Sequence, residues 1–165
     1  MKKQEMIFRK DPENRKLHIS RAFSAPLEKV WKAWTEATLL DKWWAPKPYR
    51  AETVRMDFRE GGYWLYAMVS PEGEKNWCKE NFKTIRPQST IVNSVHFCDE
   101  NGVETADFPT MFWTKEFRPA EAGTTVNIEI AFDDIADLEK ILAMGFEDGF
   151  TAGLGNLDEH LASAN

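Results

Sequence analysis

The stretch Asp134–Ala162, DIADLEKILAMGFEDGFTAGLGNLDEHLA, decides the fold. Leu138, Ile141, Leu142, Gly145, Gly149, Phe150, Gly153, Leu154, Leu157 and Leu161 recur with a 3.6-residue period. Glu139, Lys140, Glu147, Asp148, Asp158 and Glu159 fall off that face. The pattern predicts one long amphipathic helix over 134–162. Gly145, Gly149 and Gly153 are four residues apart and share one stripe. Each interior glycine costs a helix roughly 1 kcal/mol relative to alanine. Such a stripe predicts a close neighbour, either the aromatic side chains of a sheet or a ligand held between helix and sheet. The flanking charges exclude a membrane dimerisation motif.

Outward from this helix, the chain reads as strands. Thr110–Arg118 and Thr124–Asp133 flank a turn at 119–123, and Asn76–Ile85 and Thr90–Cys98 flank Arg86-Pro87-Gln88-Ser89. Trp64, Tyr66 and Met68 alternate with Leu65, Ala67 and Val69, and Val54, Met56 and Phe58 alternate before the Glu60-Gly61-Gly62 turn. Leu17–Ser24 alternates as well. A helix begins near Pro26, with Ser24 as its cap, and a shorter one covers Ala37–Trp44 until Pro46 and Pro48 stop it. Residues 1–16 read as a charged extension with a short edge strand at Met6–Phe8, and 17–165 as a single domain. The class is α+β: a curved antiparallel sheet of about six to seven strands around a C-terminal helix, with two short helices after the first strand.

Composition narrows the function. With 165 residues and a net charge of −6, the chain has neither the length for two large domains nor the basic surface that nucleic acid needs. No apolar run reaches membrane-span length, and the N-terminus lacks a secretory apolar core. The two cysteines, Cys78 and Cys98, have neither disulfide-framework nor metal-ligand spacing, which together predicts a reduced, cytoplasmic setting. His18, His96 and His160 are scattered, and Ser94-x-His96 is a strand alternation rather than a catalytic triad. Nucleophile elbow, phosphate loop and dinucleotide fingerprint are all missing, so no catalytic residue, cofactor or metal is assigned.

The aromatic content is the anomaly. Seven Trp, 11 Phe and 3 Tyr make 13% of the chain, which fits either a Trp-rich core or an aromatic-walled pocket. If Ile85 opposes Thr90, then Cys78, Glu80, Phe82 and Thr84 share a concave face with Ile91, Asn93, Val95 and Phe97. Glu80 and Asn93 become the polar points of that face, and a buried Glu acquires a raised pKa. Slippage by one residue turns His96 and Cys98 inward instead. The adjacent rings of Trp43 and Trp44 diverge by about 100° on a helix, so one plugs the sheet and the other forms a lip or interaction patch.

These motifs resemble the START-like (SRPBCC) superfamily, in the branch related to the activator of the heat-shock chaperone ATPase. The resemblance rests on Arg21-Ala22-Phe23, Ala25-Pro26, Val30-Trp31-Lys32-Ala33-Trp34-Thr35, Leu39-Leu40 and Lys42-Trp43-Trp44-Ala45-Pro46. It continues through Met56–Trp64, Ile85-Arg86-Pro87, Phe117, Thr125, Met144–Phe150 and Leu154–Leu161, and covers about residues 17–163. It implies a helix-grip fold with a cavity between sheet and C-terminal helix, which many relatives use for a hydrophobic small molecule. The chain departs from the pattern at Lys79-Glu80-Asn81-Phe82, where relatives more often begin the strand with Gly and carry Glu near Thr84.

The leading expectation is therefore a binding protein for a small apolar or aromatic molecule, monomeric or homodimeric. Its wall is Trp64, Tyr66, Met68, Phe82, Val95, Phe97, Met111, Trp113, Phe146 and Phe150. Gly149 and Gly153 make room, and Glu80 and Asn93 orient a polar end. The rivals are a chaperone-interacting protein and a polyketide cyclase- or hydrolase-like enzyme.

Overall fold

The computed structural model describes residues 6–163. Within them lie β1 (Met6–Asp11), β2 (Lys16–Phe23), α1 (Leu27–Thr35), α2 (Ala37–Trp43), β3 (Arg50–Met56), β4 (Tyr63–Val69), β5 (Lys75–Arg86), β6 (Thr90–Cys98), β7 (Met111–Ala120), β8 (Gly123–Ala131), α3 (Ile135–Ala143) and α4 (Phe146–Ser163). The strands make one open antiparallel sheet in the order β1-β2-β8-β7-β6-β5-β4-β3. All neighbours in the sheet are neighbours in sequence except β2 and β8. The two short helices carry the chain from β2 to the far edge at β3. The concave face grips α4, whose Phe150, Leu154, Leu157 and Leu161 are buried.

Alternation produces this face directly. Leu17, Ile19, Arg21 and Phe23 are buried on β2, while the residues between them are half-exposed. The same period buries Met111, Trp113, Lys115 and Phe117 on β7. The β5–β6 register pairs Cys78 with Phe97, Glu80 with Val95 and Phe82 with Asn93, as expected. At the tip it differs: Arg86, not Ile85, faces Thr90, and a bulge at Lys83 between Phe82 and Thr84 absorbs the extra residue. The bulge therefore turns Thr84 away and brings Ile85 opposite the buried Ile91.

Two local expectations are corrected. The C-terminal helix is not continuous: α3 ends at Ala143, and Gly145 adopts φ +88°, a left-handed conformation that suits glycine and stops the helix before α4 begins. Pro26, not Ser24, occupies the cap position of α1. The edge strand expected at Met6–Phe8 is present and runs on to Asp11, pairing along its length with β2. Residues 1–5 lie outside the described residues.

Candidate functional site

Three strands aim polar groups into the concave side. Glu80 on β5 is 1% exposed, with Trp64 on one neighbouring strand and Val95 on the other. Tyr66 on β4 donates its hydroxyl to Glu80 Oε2 at 3.0 Å, and Asn93 Nδ2 on β6 donates to Oε1 at 3.1 Å. The Trp44 indole N–H completes the chain by donating to the Tyr66 oxygen at 3.1 Å. Each carboxylate oxygen thus holds one donor. Burial raises the Glu80 pKa, opposed by the Lys115 charge and the Tyr66 hydrogen bond. Burial, then the Glu80 charge, raises Tyr66 well above its ordinary value, and the same two causes push the neighbouring Cys78 thiol up to about 12.

Aromatic rings enclose this centre. The Trp44 ring lies 5.3 Å from Trp43, 5.7 Å from Trp64, 6.1 Å from Trp113 and 6.2 Å from Phe150. Trp64 stacks on Tyr66 at 3.9 Å, and Phe146 stacks on Phe150 at 5.5 Å while edging toward Trp113. Of the expected wall, Trp64, Tyr66, Phe82, Val95, Met111, Trp113 and Phe150 are buried, and Met68, Phe97 and Phe146 are half-buried. Phe97 finds its ring partner in Phe108, 4.8 Å away on the β6–β7 connection.

The two rings of the Trp pair are placed differently. Trp43 is fully buried and donates its indole N–H to Ala33 O at 2.8 Å. Trp44 is half-buried at the C-terminal cap of α2, so the chain turns away just where its ring tucks inward. The glycine stripe has a different occupant from either expected one. A Cβ at Gly153 lies 3.1 Å from Trp44 O and 3.4 Å from Trp43 O, and one at Gly149 lies 3.9 Å from Pro46 Cγ. The glycines therefore seat α4 on the backbone after α2, where Asn156 Nδ2 donates to Ala45 O at 2.9 Å.

Lys115 was legible and missed. It continues the Met111-Trp113-Phe117 alternation, yet a lysine reads as a surface residue by habit. It is 4% exposed, and its ammonium sits 5.8 Å from the Trp34 ring centre and 5.6 Å from that of Trp113. Burial lowers its pKa, against the raising effect of Glu80. The indole N–H groups of Trp34 and Trp113, and Asn93 Oδ1, are buried without hydrogen-bond partners. Buried polar atoms are satisfied in the great majority of cases, and leaving one bare costs about 1–3 kcal/mol.

The convex face carries a separate polar group. Ser94 Oγ lies 2.7 Å from His96 Nε2, and His96 Nδ1 lies 3.3 Å from Glu104 Oε1, so the expected Ser94-x-His96 strand alternation also brings the two side chains together. Ser94 is paired by Asn81 on one side and Phe112 on the other, so it sits in the ladder rather than on a strained turn. A recess of about 360 Å³ also opens on this side, between Ile7, His18, Ser20, Glu116 and Asn127, away from the aromatic interior.

An open antiparallel sheet curved on a C-terminal helix, with a polar centre inside aromatic walls, defines a START-like helix-grip protein. The chain belongs to the family described as Activator of Hsp90 ATPase homolog 1-like protein, which it matches over residues 24–162. A solution structure from Arthrobacter aurescens is similar at 26% identity and TM-score 0.89, over 96% of this chain and 92% of that one. A crystal structure from Mycobacterium smegmatis shares the fold at 23% identity and TM-score 0.88, over 98% and 99%. The AHSA1 protein of Silicibacter pomeroyi does so at 19% identity and TM-score 0.71, over 89% and 97%. No curated protein matches the chain. No helix among the described residues is long and apolar enough to cross a membrane.

Proposed function

We propose that this protein binds a small, largely apolar molecule between the sheet and α4, with Glu80 and Asn93 orienting its polar end. One observation carries the reading: an ionisable carboxyl, 1% exposed, is held by two donors in the middle of an aromatic enclosure. A core built only for stability favours apolar side chains at such a position, because a buried ionisable group is rarely a net gain. Specific polar groups converging inside an apolar lining are instead the usual makeup of a ligand pocket.

Trp44 supports the same reading. It bridges the rings and the polar chain, so its displacement opens the interior and breaks one hydrogen bond. The chaperone reading receives no such support, since Trp43 is buried and Trp44 packs inward. Native mass spectrometry of freshly purified protein tests the proposal. The expected result is a reproducible adduct of a few hundred daltons, released with a rise in tryptophan emission. A clean apo mass, together with unchanged tryptophan emission across a panel of aromatic probes, would sink it.

A further inference from the structure

Two donors and a cation face the interior with nothing to donate to. Three inward-turned indoles are satisfied: Trp43 by Ala33 O, Trp44 by Tyr66 and Trp64 by Thr53 Oγ1. Trp34 and Trp113 are not. The Lys115 ammonium lies against the rings of both. An aromatic face attracts a cation but accepts none of the three N–H bonds an ammonium offers. Lys115 makes no hydrogen bond or ion pair with any described residue. Glu80 acts on it only at longer range, since no ion pair or hydrogen bond joins the two.

Donors are in surplus: a positive charge and two N–H groups stand against one bare acceptor, Asn93 Oδ1. A water molecule brings as many donors as acceptors and leaves the charge uncompensated. An oxygen anion removes the surplus with one group. We infer that the interior ligand ends in an oxyanion, a carboxylate or phenolate on a flat apolar body, set against Lys115 and the indole N–H groups of Trp34 and Trp113. This rests on the interior binding proposed above and adds the chemistry of the polar end.

Naphthoate and its neutral near-isostere acetylnaphthalene separate the two ideas. Both are titrated by calorimetry and tryptophan quenching into the wild-type chain, Lys115→Met and Trp113→Phe. Methionine keeps the length of the lysine stem without the charge, and phenylalanine keeps a ring without the N–H. Wild type should hold naphthoate the more tightly, and Lys115→Met should weaken naphthoate by about tenfold to a hundredfold. Trp113→Phe should weaken it about fivefold, and acetylnaphthalene should change little in either variant. Equal binding of both probes, unaltered by Lys115→Met, overturns the oxyanion and leaves interior binding standing. Failure of both probes to bind wild type, with a clean native mass spectrum, overturns interior binding and the oxyanion with it.

Discussion

Two buried cations sit on the same concave face, and they are treated in opposite ways. Arg21 on β2 is 6% exposed and makes a two-pronged ion pair with Asp158 of α4, with a further bond to Ala22 O. Lys115 on β7 is 4% exposed and faces two indole rings. The first cation is fully answered by the fold and ties helix to sheet. The second meets no carboxylate or carbonyl among the described residues. Buried charge is thus paired at one end of the face and unpaired at the other.

The largest test of this contrast is on the Arg21 side. Asp158→Asn leaves the buried guanidinium without its carboxylate. Asp158 is 29% exposed, so the loss should fall at the low end for a broken buried pair, about 3 kcal/mol, read from urea unfolding. Lys115→Met should move the other way, gaining about 1–2 kcal/mol, because an apolar side chain replaces a buried unpaired charge. Its pH dependence sharpens the point. Burial lowers the Lys115 pKa, so the unfolded chain keeps that proton to higher pH. Wild-type stability from this group then rises as pH climbs from the lowered value to the ordinary one, and Lys115→Met should lack that rise. A destabilised Lys115→Met would mean that the lysine, like Arg21, is answered within the fold.

A smaller effect is expected where α4 is seated. Gly153→Ala drives a Cβ against two backbone carbonyls and should cost about 1 kcal/mol net of the helix gain. Gly155→Ala meets nothing within 4 Å and should gain about 0.5–1 kcal/mol. Equal responses in thermal melts would show that α4 does not depend on close approach to the Trp43–Trp44 backbone. The smallest effect concerns Glu80. Its raised pKa means that the native state holds the proton where the unfolded chain has released it. Stability from this group should grow as pH falls from the raised value to the ordinary one. Glu80→Gln should flatten that limb in urea midpoints measured across acid pH.

Much of this architecture was legible in the sequence because alternation and turn residues act locally. The pairing of Glu80 with Val95 and of Phe82 with Asn93 followed from a supposed Ile85–Thr90 register that holds only below the Lys83 bulge, and period alone left a one-residue slip open. Where tertiary neighbours decide, local period fails. Apolar spacing runs straight through Met144-Gly145, so the break needs a backbone angle that no periodicity contains. Trp43 and Trp44 keep a helical divergence, since Trp44 at the end of α2 is itself helical in backbone, but that α4 lies across this end is a tertiary fact. Glu80 and Asn93 emerged as polar exceptions on an apolar face. Lys115 obeyed the same rule, and the unsatisfied N–H groups of Trp34 and Trp113 are a three-dimensional count that no sequence pattern records.

The Lys83 bulge has a consequence for engineering. Inward-facing positions run 78, 80 and 82 on one side of it and resume at Ile85 on the other, so the hairpin tip and the Glu80 segment keep separate phase. The exposed Pro87-Gln88-Ser89 turn, with Gln88 already in a left-handed conformation, is therefore a natural place to graft a loop or a fluorophore. The tip can be lengthened while the residues that would greet a guest keep their orientation.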